Sequence, residues 1–344
     1  MAGIPSHINP KSKRSKRSKA TPDIGQLFDQ LKAGEISALS QAITLVESTA
    51  PKDHAFAKAI LQRCLPLSGS SFRLGITGVP GVGKSTFIES LGKLLIGQGK
   101  KLAVLAIDPS SGISQGSILG DKTRMEELVK SDQAFIRPSP AGKTLGGVAR
   151  KTREAIILCE AAGYDFIIVE TVGVGQSETA VHSMTDFFLL LKLAGAGDDL
   201  QGIKRGIMEM ADGIVINKAD GNNQTAAKHA QREFRNALHL VPPKNQDWQT
   251  KVYTCSALEQ NGIQEILDEI NNYESKMRAQ YSFSAKRQDQ ELYWLHQTIE
   301  DQLMNHFFTK TAVSEALASL EKEVLDKKIT PFEAAEKLLA IGTS

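Results

Sequence analysis

RLGITGVPGVGKSTFIESLGKLL, residues 73–95, places a short apolar run, a glycine-rich turn and an amphipathic stretch in immediate succession. Within it GVPGVGKS, Gly78 to Ser85, satisfies the pattern GxxxxGK[ST], with a strand ending at Thr77 before it and a helix after it. That context is what separates a phosphate-binding loop from a glycine turn with a chance Lys-Ser. Glycines let the backbone curl so that successive N–H groups face phosphate oxygens, and the following helix N-terminus adds a favourable dipole. Gly78, Gly81, Val82 and Gly83 are therefore the expected cradle. Lys84 is expected to bridge the β- and γ-phosphates, Ser85 to ligate Mg²⁺ and Thr86 to reach the α-phosphate.

Outward from this loop, apolar runs alternate with helical stretches as far as about residue 277. Strand candidates are RLGIT from 73, LAVLAID from 102, FIIVE from 166, FFLLL from 187, GIVINK from 213 and VYTCS from 252. Continuously apolar strands separated by helices indicate a parallel sheet covered on both faces. The fold class is α/β, a P-loop NTPase with a mostly parallel central sheet and with N- and C-terminal helical extensions. Residues 1–22, rich in Lys and Arg, read as a disordered basic tail. Residues 23–70 read as an N-terminal helical segment, 71–280 as the nucleotide domain and 281–344 as a C-terminal helical segment. The last helix is announced by Thr330, Pro331 and Glu333, a cap, a first-position proline and a capping-box glutamate.

The choice of base is written in NKAD, Asn217 to Asp220, at the end of the GIVI run. A carboxylate there accepts from guanine N1–H and the 2-amino group, which adenine cannot match, at about 1.5–3 kcal/mol per missing charged hydrogen bond. Asn217, Lys218 and Asp220 are the expected guanine residues, so GTP and GDP are the expected nucleotides. CSAL follows the next strand, where Ser256, Ala257 and Leu258 are placed to offer backbone N–H groups to guanine O6.

Between these motifs lie the segments that would respond to the γ-phosphate. Where GTPases usually carry DxxG, this chain has ETVG, Glu170 to Gly173. A glutamate can hold a metal-bound water and Gly173 can present its N–H to a γ-phosphate. Gln176 stands three residues after Gly173 instead of next to it, which predicts slow intrinsic hydrolysis. Asp108 and Asp121 fall where the first switch belongs. Each is a candidate for Mg²⁺ or its water shell, with a turn aspartate before Pro109 and a solvated loop as the respective alternatives. Residues 195–206, with Asp198, Asp199, Lys204 and Arg205 between glycines, suit a mobile relay and a flexible surface connection equally.

Composition narrows the classes further. Of the 344 residues 41% are hydrophobic and 23% charged, enough for a sizeable core. The formal net charge is +2, but six basic residues sit between Lys11 and Lys19, so the folded body is mildly acidic and nucleic acid is not an expected partner. Three scattered cysteines suit a reducing compartment. No apolar run reaches the roughly 20 residues of a membrane span, and the first 22 residues lack the apolar core of a secretory signal. The expected location is the cytoplasm. His182, His229 and His239 have no second ligand at metal-site spacing, and Trp248, Trp294 and Phe307 read as packing or interface residues.

GVPGVGKST, AIDPSS, GSILGDKTRM, CEAAGYDFIIVETVGVGQSE, GAGDDLQGIKRG, VINKAD and TCSAL occur in this order. The order resembles that of the MeaB/ArgK GTPases from about Ile24 to the C-terminal helices. The resemblance implies that Lys84, Asp108, Asp121 and Glu170 serve the phosphates, Mg²⁺ and the switches. It implies that residues 195–204 are a third switch, with Gln176, Asp198, Asp199 and Lys204 in the relay. It further implies a homodimer built with the terminal helices, and a partner that is methylmalonyl-CoA mutase or a related cobalamin-dependent acyl-CoA mutase, whose adenosylcobalamin loading is gated by GTP hydrolysis. The rival readings are a P-loop protein kinase, the older description of the family, and a metallochaperone-type GTPase. NKAD argues against the first, and missing Cys/His ligands near the switches against the second.

Overall fold

The computed structural model describes residues 23–107, 125–138, 145–171, 177–195, 205–240 and 248–343. The expected basic tail, residues 1–22, lies outside them. Seven strands, β1 (Phe72–Gly78), β2 (Leu102–Ile107), β3 (Ala134–Arg137), β4 (Phe166–Thr171), β5 (Phe187–Leu193), β6 (Gly213–Asn217) and β7 (Lys251–Thr254), form one sheet. Its order is β3-β2-β4-β1-β5-β6-β7, with every pairing parallel. All six expected strands are present. The seventh, β3, escaped the sequence reading because AFIR is four residues long, sits at the sheet edge and buries only its first two residues.

β1, β2, β4 and β6 are buried at every position, the signature of a parallel sheet covered on both sides. Alternation along each strand divides the core in two. Leu74, Ile76, Val104, Ile168 and Val215 point to one face, against α4 (Lys84–Gly97) and the later helix Ile263–Ala279. Ala103, Leu105, Ile167, Val169 and Phe188 point to the other. There they pack with α1 (Ile24–Lys32), α2 (Ile36–Glu47), α3 (Pro51–Cys64), α5 (Leu145–Ala161) and α6 (Ser177–His182). The N-terminal helices thus share their core with the sheet: Leu31, Leu39 and Ile43 are fully buried in that cluster. Farther along the same face, Leu190, Ile214 and Ile216 pack with α7 (Arg205–Met210) and α8 (Gln224–Leu238).

After α9 (Ile263–Ala279) come α10 (Ser282–Thr309), α11 (Thr311–Leu325) and α12 (Pro331–Thr343). The start of α10 is fixed to the sheet by buried charge. Arg287 donates to both oxygens of Asp186 at 2.8 and 2.7 Å, and to the carbonyls of Gly69 and Ser71 at 2.5 Å each. Burial opposes the charge on Lys286, but the neighbouring Asp212, Tyr273 and Asp186 outweigh it and hold its pKa above the ordinary value. One and two turns on, Gln290 Nε2 donates to the carbonyl of Thr185 at 2.9 Å and Trp294 Nε1 to that of Ser183 at 3.1 Å. α11 and α12 close a small core of Val313, Leu320, Ala334 and Leu338. As the sequence announced, Thr330 Oγ1 accepts from the N–H of Glu333 at 3.1 Å and caps α12. Among the described residues no helix is long and apolar enough to cross a membrane.

Candidate nucleotide site at the carboxyl edge of the sheet

From β1 the chain crosses to β2 and β3 on one side, and from β4 it crosses back to β5, β6 and β7 on the other. The loops after β1 and β4 therefore open where the strand order reverses, the crevice in which open α/β sheets hold ligands. The glycine-rich loop leaves β1 there. Gly83 precedes α4 with φ 93°, and a Cβ on it would meet Asn217 Nδ2 at 2.7 Å, so conformation and proximity both require glycine. A Cβ on Gly78 would meet the carbonyl oxygen of Leu191 at 2.5 Å. No side chain caps the N-terminus of α4 among the described residues, which leaves its first N–H groups facing the loop. Gly81 and Thr86 are exposed, Ser85 half-buried and Val82 buried. Lys84 is largely buried, and its Nζ donates to the carbonyls of Gly78 at 2.8 Å and Val79 at 3.4 Å, inside the turn.

Asn217 joins this loop to the other two. It is buried at the end of β6, where Nδ2 donates to the carbonyl of Val82 at 2.8 Å. Its Oδ1 accepts from the N–H of Ala257 at 3.1 Å and from Cys255 Sγ at 3.3 Å. Ser90 of α4 donates to the carbonyl of Ala257 at 2.7 Å, a second bond between the phosphate-loop helix and CSAL. The motif does not disclose this bridge; it shows an amide at a strand end and not which loops the amide spans. Lys218 follows in a left-handed conformation, φ 58°, with its carbonyl held by Asn223 Nδ2 at 2.7 Å. Asp220 is half-buried, and its Oδ2 accepts from Ser256 Oγ at 2.5 Å while Ser256 Oγ itself accepts from the N–H of Glu259 at 3.1 Å. One carboxylate oxygen is thus committed to Ser256. Leu258 is exposed at the rim. Burial, and then the charge of Asp220, push the Cys255 thiol up to about 12, so it is an unreactive packing group.

Glu170 is buried in β4, level with Ile76 of β1 and Ala106 of β2. It shares the parity of Ile168 and therefore lies on the face that carries α4. One residue on, Thr171 Oγ1 donates to Thr77 Oγ1 at 3.0 Å on the opposite face. A buried carboxylate beside the phosphate loop and the Ser85 hydroxyl in the first turn of α4 are hard oxygen donors of the kind that suits Mg²⁺. Asp108, Asp121, Gly173, Gln176, Asp198, Asp199 and Lys204 lie outside the described residues. Among the described residues no three His, Cys, Asp or Glu side chains gather as a transition-metal site would need. His182 rests edge-on against Phe188, and His229 lies on a helix surface beside Glu233. Trp248 packs edge-on against Phe187 and Tyr273, and Trp294 carries Arg153 over its ring.

A family model described as methylmalonyl-CoA mutase-associated GTPase MeaB matches residues 39–312. GTPase ArgK of Escherichia coli is 51% identical over 285 residues, covering 83% of this chain and 86% of that protein. The mouse methylmalonic aciduria type A homolog, a mitochondrial protein, is 46% identical over 326 residues, covering 92% of this chain and 79% of its own length. The crystal structure of an LAO/AO transport system kinase superposes with a TM-score of 0.76 at 40% identity, over 93% of this chain and 98% of that one.

Proposed function

This chain belongs to the MeaB family of methylmalonyl-CoA mutase-associated GTPases, and from that premise we propose that it is a GTP-hydrolysing chaperone that gates adenosylcobalamin loading of a cobalamin-dependent acyl-CoA mutase and protects that mutase. The observation that carries the nucleotide part is Asn217, which ties the phosphate loop to both guanine loops in one hydrogen-bonded unit. A phosphate loop alone would serve a kinase as well, including one named for a transport system. A base pocket with Asp220 braced by Ser256 supports GTP instead.

In this reading Gly78, Gly81, Val82, Gly83 and Thr86 cradle the phosphates and Lys84 leaves its loop carbonyls to neutralise the β- and γ-oxygens. Ser85 and Glu170 hold Mg²⁺, with Asp108 and Asp121 contributing from the first switch. The bound ion supplies charge neutralisation to the phosphate oxygens. Asn217, Lys218 and Asp220 hold guanine, with Ser256, Ala257 and Leu258 closing over it. Gly173 and Gln176 report the γ-phosphate, and Asp198, Asp199 and Lys204 relay it to the mutase. The copies pair through the exposed apolar faces of the C-terminal helices, and buried free thiols at Cys64, Cys159 and Cys255 suit a reducing cytoplasm.

The test is GTP turnover and adenosylcobalamin transfer, each measured with and without a purified acyl-CoA mutase. Stimulated hydrolysis and nucleotide-dependent transfer are the expected results. Hydrolysis indifferent to the mutase, with transfer equal in GTP and GDP, would overturn the chaperone reading and leave the GTPase standing.

A further inference from the structure

Two buried hydroxyls stand directly beneath the phosphate loop and have no part in the assignments above. Thr77 is the last residue before Gly78, and Thr171 the last before the segment 172–176 that contains Gly173; they are 2% and 0% exposed. The register Ile76↔Glu170 brings them side by side one step farther along the two strands, where Thr171 Oγ1 donates to Thr77 Oγ1 at 3.0 Å. They face α6, the helix that follows segment 172–176. That helix and the turn after it lie so close to β1 that a Cβ on Gly75 would meet Val181 Cγ1 at 2.9 Å and Thr185 Oγ1 at 2.7 Å. Two valines would fill the same volume without a buried polar atom, so what the hydroxyls add is a directional link between strand ends. One of those ends leads into the phosphate loop and the other carries Glu170.

We infer that Thr77 and Thr171 are positioning residues for GTP hydrolysis: their hydrogen bond holds the end of β4, and with it Glu170, in register with the phosphate loop. The inference rests on the reading of residues 78–86 as phosphate loop and 170–173 as γ-phosphate switch. The two hydroxyls are paired with each other on the face of the sheet opposite α4. Binding therefore depends on the loop, while turnover depends on the placement of Glu170 relative to it. A misplacement of about 1 Å can cost on the order of 100-fold in rate, and loss of one hydroxyl link is a smaller disturbance, about tenfold.

The experiment compares Thr171→Val, Thr77→Val/Thr171→Val and Thr171→Ser for kcat, GDP affinity and Tm. Thr152→Val serves as control, removing another buried hydroxyl that donates to the carbonyl of Val148 at 3.0 Å inside α5. Expected are a kcat about tenfold lower in Thr171→Val and in the double variant, GDP affinity within about twofold of the parent, and turnover rescued in Thr171→Ser. The double variant should regain the Tm lost by Thr171→Val, because no hydroxyl is left unpaired, without regaining its rate. Thr152→Val should lose Tm and keep kcat. If Thr171→Val does not fold, the double and serine variants carry the comparison. A double variant that recovers rate together with Tm, or a Thr171→Ser as slow as Thr171→Val, overturns the inference. Lys84→Ala measured alongside separates the two levels. Full turnover there removes the phosphate-loop reading itself, whereas a dead Lys84→Ala beside a parent-like Thr171→Val removes only the threonine pair.

Discussion

Asp220, the proposed guanine acceptor, takes a hydrogen bond from Ser256 at 2.5 Å on one oxygen, so its carboxylate is held in place. A held acceptor discriminates sharply because the wrong base leaves it desolvated and unpartnered. Asp220→Asn is expected to weaken GTP binding by roughly 10- to 100-fold, the equivalent of about 1.5–3 kcal/mol, and to favour xanthosine triphosphate, whose 2-oxo group accepts from the new amide. Calorimetry on the parent and the variant with GTP, ATP and xanthosine triphosphate measures both effects. Equal ATP and GTP affinity in the parent would refute the role of Asp220. The glutamate at 170 is a quieter departure from the usual aspartate: it keeps the charge and adds a methylene, and burial between β1 and β2 holds it toward α4.

Among elements, those that declare themselves in the sequence do so through continuous patterns. Six strands are legible because each is an apolar run flanked by helical stretches, and α12 is legible because its cap, proline and glutamate coincide at Thr330, Pro331 and Glu333. What the pattern cannot carry is the identity of the surface an element packs against. The apolar face of α2 shows that Leu39 and Ile43 are buried, yet nothing local says that their partners are α5 and one face of the sheet. Likewise NKAD shows a guanine motif, whereas the bond from Asn217 to Val82 spans 135 residues and depends on tertiary closure. Coupling elements are the extreme case, since their contacts differ between states. The loop from Gly195 to Gly206 is proposed as such an element on its glycine hinges and charges. Lys204→Ala is expected to leave basal GTPase activity and GTP affinity nearly intact and to abolish acceleration by the cognate mutase. A charge that reaches the nucleotide or switches only in the complex contributes nothing before docking. Turnover with and without mutase in both proteins decides it, and unchanged stimulation in the variant would remove the relay.

For the molecule as a whole, the question is how the C-terminal helices are attached and what they do. Attachment runs through Arg287, which ties α10 to Asp186 at the start of β5 and to the chain just before β1. Burial disfavours the guanidinium charge, but Asp186 compensates and the pKa of Arg287 stands above its ordinary value. Arg287→Ala would take from Asp186, 1% exposed, its two-pronged charged partner and leave it only the N–H of Arg73 and the nearby charge of Lys286, and is expected to cost about 3 kcal/mol, read as a lower denaturation midpoint. Beyond this anchor the apolar surface turns outward. Leu303, Met304, Phe308, Leu325, Phe332 and Leu339 are exposed, and α11 and α12 frame a groove of about 510 Å³ lined by Phe308, Leu317, Val324, Leu325 and Leu338. Contiguous exposed apolar surface of this kind marks an interface, and a second copy of the chain is the proposed occupant. A two-fold contact repeats each substitution on both sides, so paired charges there are doubly unfavourable. Leu325→Glu/Phe332→Glu is therefore expected to convert a dimer into a monomer at micromolar concentration, measured by light scattering after size exclusion. Basal GTP turnover should stay within about twofold of the parent, because neither residue approaches the phosphate loop or NKAD. A parent that is monomeric, or a double variant that remains dimeric, would rule out this face as the contact between copies.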